Sequence, residues 1–316
     1  MAPMNGVGKL CPWACSLAGL LALGSVGMAA EGVEWHRGWE QARTAARASG
    51  RCVFVYVYQH YRPTCVEMET KTFAQAEIIK ALRAHFELMA VAANSTQQRE
   101  FLDRYRLGMQ EIDDGEYEVG VTACPAYVVL DATGREYIRF FGYYPPGQFR
   151  EIIDYLAEIV RLSDHLADQP DDALACARLG HLHLALDRMQ TGKPWLERAV
   201  ALDADNRLGA RQEAELDLAI LSIPDEPQAA YGRLVAYRLA HPDSPRALEV
   251  LYYMAVAQVA AEHYQDAERI LLDFQSIPPL LPDNKTPNPL YRSKWCEQAD
   301  VLLKQLRRLD RGTAAQ

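Results

Sequence analysis

The sequence predicts an α/β domain, with a central mixed sheet flanked by helices, followed by an all-α region of helical repeats. Residues 33–162 alternate between strand-like and helix-like patterns, whereas from Asp164 onward no strand pattern continues and Ala and Leu dominate. The chain has 316 residues, which is long enough for two domains. We therefore expect a first domain over residues 31–162 and a helical one over residues 163–316.

The first domain contains three runs predicted to be strands, and the first of them is continuously apolar, β-branched and aromatic, as in a buried central strand. These runs are Cys52–Tyr58, Phe86–Ala92 and 126–131. Asp131 to Gly134 is the turn of a hairpin whose second strand is 136–141. Helical spacing of apolar residues predicts the intervening helices, which cover 39–48, 64–84, 97–107 and 147–163.

Two stretches of the second half share one design, with small residues where helices cross and large residues between them. The first combines Cys176, Leu179, Gly180, His183, Gly192, Leu196 and Ala199 with a turn at 203–206, and the second combines Leu251, Met254, Ala255, Tyr264, Ala267, Leu271 and Phe274 with Pro278–Pro279. The first fits a helix-turn-helix repeat of about 34 residues. We expect Gln169 to Asp172 to separate the two halves, with Asp171 or Asp172 capping the next helix. The five prolines between 278 and 289 predict a loop.

The first thirty residues have the composition of a secretory signal peptide. Lys9 precedes an apolar run over 10–26, and small residues at 27–30 follow it. We expect cleavage near residue 30 and a periplasmic or secreted mature protein without a membrane span. An uncleaved N-terminal anchor is the alternative.

Charge and cysteine content exclude several classes of protein. The net charge is -9, with no cluster of Lys and Arg free of acids, which argues against nucleic-acid binding. Five of the seven cysteines lie beyond residue 30, too few for a disulfide-stapled scaffold. No phosphate loop, zinc-ligand spacing or Ser–His–Asp pattern is present, and we expect no cofactor.

The order of several short motifs in the first domain carries a family resemblance. The motifs are Trp39 with Ala42 and Ala46, residues 50–58, Tyr61 to Cys65, Met68 to Phe73, Ala93-Asn94, Thr122 to Ala126, Leu130 to Gly134 and Gly142-Tyr143. Together they resemble the thioredoxin superfamily, and most closely the C-terminal periplasmic domain of the membrane thiol:disulfide interchange proteins. The helical half resembles tetratricopeptide repeats more loosely, since His183 stands where that family has a large aromatic residue.

The resemblance implies a site at residues 61–65, where the family has Trp-Cys-x-x-Cys (CxxC) at a strand-to-helix turn. Tyr61 takes the Trp position, Arg62 the first cysteine, Pro63 and Thr64 the spacers, and Cys65 the second cysteine. Pro125 falls on the cis-proline that faces this motif in the family. Arginine cannot attack a disulfide, so the ordinary dithiol cycle is unavailable. The active site is therefore degenerate with respect to the family.

Three interpretations of Cys65 remain open. It is a buried structural residue that acts as a small hydrophobe, or it pairs with Cys124 as an atypical redox couple whose thiolate Arg62 favours. In the third interpretation Cys65, Cys124 and His60, with Met68 as a further ligand, bind a soft metal such as copper(I). The resemblance also implies that Tyr61, Arg62, Cys124 and Pro125 contact a bound peptide segment.

Three functions correspond to these interpretations. The leading one is an exported binding or scaffold protein with a reduced or altered redox role, whose repeat surface and cis-proline loop hold a protein or peptide partner. The second is an atypical thiol–disulfide oxidoreductase that uses Cys65 and Cys124. The third is a copper-handling protein.

Overall fold

The computed structural model describes residues 35–107, 109–112, 116–119, 124–277 and 293–313. The expected signal peptide over 1–30 and the expected loop over 278–289 lie outside these ranges. The first half contains α1 (Trp39–Ser49), β1 (Cys52–Tyr58), α2 (Pro63–Glu67), a π-helical turn (Met68–Thr72), α3 (Ala76–His85), β2 (Phe86–Ala92), α4 (Arg99–Arg104), β3 (Met109–Ile112), β4 (Glu116–Val119), β5 (Ala126–Leu130), β6 (Glu136–Phe141) and α5 (Pro146–Asp168).

Helices alone make up the described part of the second half. They are α6 (Ala173–Ala185), α7 (Met189–Leu202), α8 (Ala210–Leu221), α9 (Pro227–Ala240), α10 (Ala247–Ala260), α11 (Tyr264–Gln275) and α12 (Lys294–Thr313). Among the helices that the structure describes, none combines the length and the apolar character needed to cross a membrane. The predicted fold class, an α/β domain with a mixed sheet followed by a helical region, is confirmed.

The main sheet has the strand order β2-β1-β5-β6, in which β1 pairs parallel with β2 and antiparallel with β5. Because side chains alternate across a strand, β1 contributes to two cores. Phe54 and Tyr56 pack on the face covered by α3 and α5, whereas Val53 and Val55 pack on the face covered by α1 and α4. Burial on both faces explains why β1 is apolar at almost every position.

The sequence predicted one continuous helix over 64–84, but the structure has a break between Thr72 and Ala76. The π-helical turn ends at Thr72, and α3 starts only at Ala76. The Thr72 hydroxyl donates to the carbonyl oxygen of Tyr144 at 2.7 Å, and the buried Phe73 ring packs against Tyr56. These tertiary contacts pull the chain out of regular helical geometry at that point.

Two other predictions along the first half need correction. The helix predicted over 97–107 covers only Arg99–Arg104, since Arg106 has a positive φ of 53° that ends it. The hairpin of β3 and β4 was not predicted. The strands Cys52–Tyr58, Phe86–Ala92 and Glu136–Phe141 have the predicted bounds.

The helical half is built from adjacent helices that pack in sequence. Asp172 caps α6 as expected, with its carboxylate accepting from the Ala175 amide at 3.0 Å. Gly180 and Gly192 lie at the α6–α7 crossing, where a Cβ added to Gly192 would be 2.8 Å from the Gly180 carbonyl oxygen. In the second stretch Tyr264 is 48% exposed, so it is not one of the inward residues.

One hydrophobic core connects the two halves. The cluster that contains Phe54 and Tyr127 in the sheet continues through α5 to Leu179 and Leu196 in the first helix pair. α5 extends to Asp168 as a single helix. The boundary between residues 162 and 163 stays a prediction.

Candidate functional site

The motif at residues 61–65 lies where β1 ends and α2 begins. Pro63 occupies the first turn of α2, a position that suits its fixed φ. The carbonyl oxygen of Arg62 accepts hydrogen bonds from the amides of Cys65 (3.0 Å) and Val66 (3.1 Å). Cys65 therefore lies in the first turn of the helix, and none of its surface is exposed.

Cys124 and Pro125 approach this turn because β5 pairs antiparallel with β1. Ala126 is the register partner of Val57, so the residues just before β5 lie next to the end of β1. The Thr64 hydroxyl donates a hydrogen bond of 3.0 Å to the Cys124 carbonyl oxygen. The peptide bond between Cys124 and Pro125 is cis.

The thiols of Cys65 and Cys124 are hydrogen-bonded to each other. Because Cys124 donates to its neighbour, the pKa of the Cys65 thiol is lowered to about 7, although burial acts in the opposite direction. The hydrogen bond to Cys65, followed by burial, raises the pKa of the Cys124 thiol well above its ordinary value. The pair thus consists of one readily ionised sulfur and one that retains its proton.

Gln59 and Tyr56 also contact Cys65. The backbone amide of Gln59 donates to the Cys65 sulfur at 3.5 Å, and the Tyr56 hydroxyl lies 3.5 Å from the Cys65 carbonyl oxygen. The same hydroxyl donates to a Glu69 carboxylate oxygen at 3.3 Å, and burial raises the pKa of that carboxyl group. A carboxyl group that is harder to ionise is a weaker obstacle to a thiolate at Cys65.

Arg62 is half-buried and is held by Gln59, whose side-chain oxygen accepts from the Arg62 Nε at 2.9 Å. The positive charge of Arg62 acts to lower the pKa of Cys124, but the hydrogen bond to Cys65 and burial outweigh it. Tyr61 is 68% exposed beside this site. The structure thus brings together Arg62, Thr64, Cys65, Cys124 and Pro125, with Tyr61 at the surface.

The residues predicted as soft-metal ligands, His60, Cys65, Cys124 and Met68, do not all face the Cys65–Cys124 pair. His60 is exposed, and its ring lies edge-on to the Tyr58 ring with centroids 4.8 Å apart. The sulfur of Met68 accepts from the Tyr144 amide at 3.4 Å. In the described ranges, one group places three His, Cys, Asp or Glu ligand atoms within 4.8 Å of one another, and that group consists of His181, Asp217 and Glu249.

The group of His181, Asp217 and Glu249 surrounds Arg246, a residue that the sequence analysis did not identify. Arg246 hydrogen-bonds to Asp217, to Glu249 (2.9 Å) and to Glu213 (3.1 Å), while His181 lies 3.1 Å from Asp217. Burial tends to raise the pKa of Asp217, but the hydrogen bond from His181 and the charge of Arg246 lower it. Because the guanidinium group donates to all three carboxylates, the cluster is an ion-pair network that ties α6, α8 and α10 together.

The other described cysteines lie apart from the pair. Cys52 is half-buried, and burial raises the pKa of its thiol to about 11. Cys176 is buried in α6, and Cys296 is half-buried in α12. None of the five cysteines in the described ranges forms a disulfide.

Gln59 is the site residue that sequence reasoning missed. It is 2% exposed, contacts both Arg62 and Cys65, and has a side-chain nitrogen without a hydrogen-bond partner in the described part of the structure. The only available signal was a polar amide directly after the apolar strand β1, which is also typical of an ordinary turn.

Three comparisons relate this chain to known proteins. A family described as a thioredoxin-like domain matches residues 39–157. Among solved structures, a thioredoxin from Thermus thermophilus is 24% identical, with a TM-score of 0.32, and the match covers 39% of this chain and 86% of that one. A structure described as DsbH oxidoreductase is 17% identical, with a TM-score of 0.27, over 35% of this chain and 76% of that one.

No significant match to the chain is found among curated proteins. The family match covers the sheet and the helices that position Cys65 and Cys124, and it ends within α5. Residues 39–157 therefore form a thioredoxin-like domain, and a largely helical region follows it.

Proposed function

We propose that Cys65 and Cys124 form a dithiol–disulfide couple that replaces the CxxC couple of the family. The observation that carries the proposal is the approach of Cys124 to Cys65, held by the Thr64 hydrogen bond of 3.0 Å to the Cys124 carbonyl oxygen and accompanied by the interaction between the two thiols. Two neighbouring sulfurs, one ionised near neutral pH and one protonated, form a disulfide when an external disulfide accepts two electrons: the thiolate attacks it, and the second sulfur displaces the mixed disulfide. The Thr64 hydroxyl keeps the two backbone segments together during the reaction.

The couple also accounts for the arginine at position 62. Arg62 lacks a sulfur, but its charge lies close enough to Cys124 to favour the thiolate that must form on that residue when the disulfide is made or opened. Arg62 therefore supports the couple electrostatically, in a position where the family has an attacking thiol.

Equilibration in glutathione redox buffers tests this proposal. We expect the protein to lose two titratable thiols as the buffer becomes oxidising, with a peptide map that joins Cys65 to Cys124. Cys65→Ser and Cys124→Ser should each abolish the transition, whereas Cys52→Ser should retain it. Retention of all thiols in the most oxidising buffer would contradict the proposal.

A second candidate function, partner binding by the helical region, is favoured by a groove between α8 and α9. The groove has a volume of about 610 Å³ and is lined by Leu216, Ala219, Arg233, Ala236, Tyr237 and His241, among others. We propose that the helix pairs are tetratricopeptide-like and that this groove holds a protein or peptide partner. Crosslinking of the wild-type protein and of the Ala236→Arg variant to bound partners tests this function. The arginine fills the groove, so we expect the variant to lose crosslinks that the wild type forms.

The composition of residues 1–30 supports a proposal about the location of the protein. We propose that the chain is exported, and that the redox couple works in an oxidising compartment like that of the periplasmic thiol:disulfide interchange domains it resembles. N-terminal sequencing of the mature protein tests cleavage near residue 30.

Copper handling, the third function considered from the sequence, has no comparable support, because the His60 ring packs against the Tyr58 ring.

A further inference from the structure

Both sulfurs of the proposed couple are buried, which limits what can react with them. Cys65 has no exposed surface, and Cys124 is 4% exposed. Attack on a protein disulfide requires the attacking sulfur to reach a sulfur that is attached to another folded chain. Here the first-cysteine position, which would present a sulfur to such a substrate, is Arg62.

Gln59 places a buried polar donor beside Cys65. Its side-chain oxygen is held by Arg62, so its side-chain nitrogen lies on the other side of the amide group and has no partner in the described part of the chain. The Gln59 backbone amide donates to the Cys65 sulfur. A buried amide donor is normally satisfied by a hydrogen bond, and the oxygen of a molecule of about the size of water can accept one.

We propose that the substrate of this couple is a small hydroperoxide, with Cys65 as the attacking sulfur and Cys124 as the resolving one. The inference rests on the proposed function, since it needs Cys65 and Cys124 to form a disulfide. It adds the chemical class of the oxidant. It also assigns Gln59 as a positioning residue that donates to the peroxide oxygen.

The reaction has two steps. In the first step the Cys65 thiolate attacks one peroxide oxygen, an S–O bond forms, the O–O bond breaks, and hydroxide leaves and takes a proton to become water. The sulfur is oxidised to a sulfenic acid, and the peroxide is reduced. In the second step the Cys124 sulfur attacks the Cys65 sulfur, an S–S bond forms, the S–O bond breaks, and a second water leaves with the proton of Cys124.

The balance is two thiols and one hydrogen peroxide giving one disulfide and two waters. Two molecules of a small thiol, the co-reactant, reduce the disulfide: the first forms a mixed disulfide, and the second releases it as their own disulfide, which regenerates both cysteine thiols. The hydrogen bond between the thiols keeps Cys124 beside the sulfenic acid, so the intermediate is resolved before a second peroxide can oxidise it further.

Stopped-flow reaction of the reduced full chain with hydrogen peroxide at pH 7 tests the inference. We expect the thiolate fraction alone to make the rate constant about fifteenfold higher than that of free cysteine, because a pKa near 7 ionises about half of the thiol. Two thiols should disappear per peroxide consumed. In Cys124→Ser, dimedone should trap a sulfenic acid on Cys65, and Cys52→Ser should react like the wild type.

Several outcomes would overturn the inference while leaving the proposed function intact. One is a rate constant no higher than that of free cysteine in a protein that forms the disulfide in glutathione buffer. Another is dimedone labelling of Cys124 in Cys65→Ser as fast as the labelling of Cys65 in Cys124→Ser. A third is reduction of insulin at a rate comparable with peroxide consumption. If the disulfide forms in neither reagent, the proposed function itself fails.

The role of Gln59 has its own test. Gln59→Leu removes the amide donor, and we expect the rate constant with peroxide to fall about tenfold, the effect of one lost hydrogen bond. The ionisation of Cys65, followed by thiolate absorbance, should change much less, because the backbone amide still donates to the sulfur. An unchanged peroxide rate in this variant would show that Gln59 does not position the oxidant.

Discussion

The Thr64 hydroxyl donates a hydrogen bond of 3.0 Å to the carbonyl oxygen of Cys124, across a sequence separation of 60 residues. This contact joins the first turn of α2 to the segment that enters β5, and it lies beside the two hydrogen-bonded thiols. The redox proposal depends on these two segments staying together.

Removal of the Thr64 hydroxyl should therefore weaken the site. Thr64→Val keeps the shape of the side chain but leaves the Cys124 carbonyl oxygen without this donor, and we expect a loss of about 1 kcal/mol in the free energy of unfolding. Urea unfolding measures it. Thr64→Ser, which retains the donor, should lose less, and equal losses in the two variants would show that the hydrogen bond contributes little.

The ionisation of Cys65 should depend on the donor at position 124. The Cys124 thiol lowers the pKa of Cys65 from its ordinary value of 9.0 to about 7, so thiolate absorbance in the ultraviolet should rise around neutral pH. Cys124→Ala removes the donor and should move this transition to higher pH, whereas Cys124→Ser keeps a hydroxyl donor and should move it less. A transition that stays near neutral pH in Cys124→Ala would contradict the assignment.

His183 should make the helical region sensitive to acid. It is 3% exposed, its Nδ1 has no partner in the described ranges, and burial lowers its pKa from 6.5 to about 4. Because the unfolded chain binds the proton more readily in this window, the free energy of unfolding should fall as pH drops from 6.5 to 4, by about 1.4 kcal/mol per pH unit. His183→Phe should flatten this slope in denaturant unfolding, whereas the exposed control His85→Gln should keep it.

The α6–α7 crossing should not tolerate a methyl group. In Gly192→Ala the new Cβ would lie 2.8 Å from the Gly180 carbonyl oxygen and 2.6 Å from the Leu184 side chain, so we expect a loss of about 1–3 kcal/mol. Gly232→Ala in α9 meets nothing within 4 Å and should gain about 0.5–1 kcal/mol through its better helix propensity. Thermal unfolding of the two variants compares them, and similar melting temperatures would refute the close packing.

Arg246 should be essential to the ion-pair network of α6, α8 and α10. Arg246→Met leaves the buried Asp217 without its guanidinium partner, and we expect a loss of about 3–5 kcal/mol in unfolding free energy. The double variant Arg246→Met with Asp217→Leu should recover part of this loss. As a control, Arg207→Ala removes an exposed pair with Asp205 and should change stability by less than about 1 kcal/mol.

The sequence alone determined the architecture wherever burial is reflected in a regular pattern. β1 is apolar on both faces and β2 carries one charged residue, Glu87, so their bounds could be predicted residue by residue, and the spacing of Phe149, Ile152 and Leu156 predicted the inward face of α5. The proximity of Cys65 to Cys124 was likewise foreseen, because the resemblance places the segment before β5 against the start of α2.

Only the tertiary structure decided the chemistry around these residues. The role of Gln59, the direction of the hydrogen bond between the thiols and the grouping of Arg246 with Asp217 and Glu249 all depend on contacts between segments far apart in sequence. The break in the predicted helix over 64–84 has the same origin, since the Thr72 hydroxyl donates a hydrogen bond to the Tyr144 carbonyl oxygen. Local patterns record which side of an element is buried, but they do not record which polar atoms from distant segments meet there.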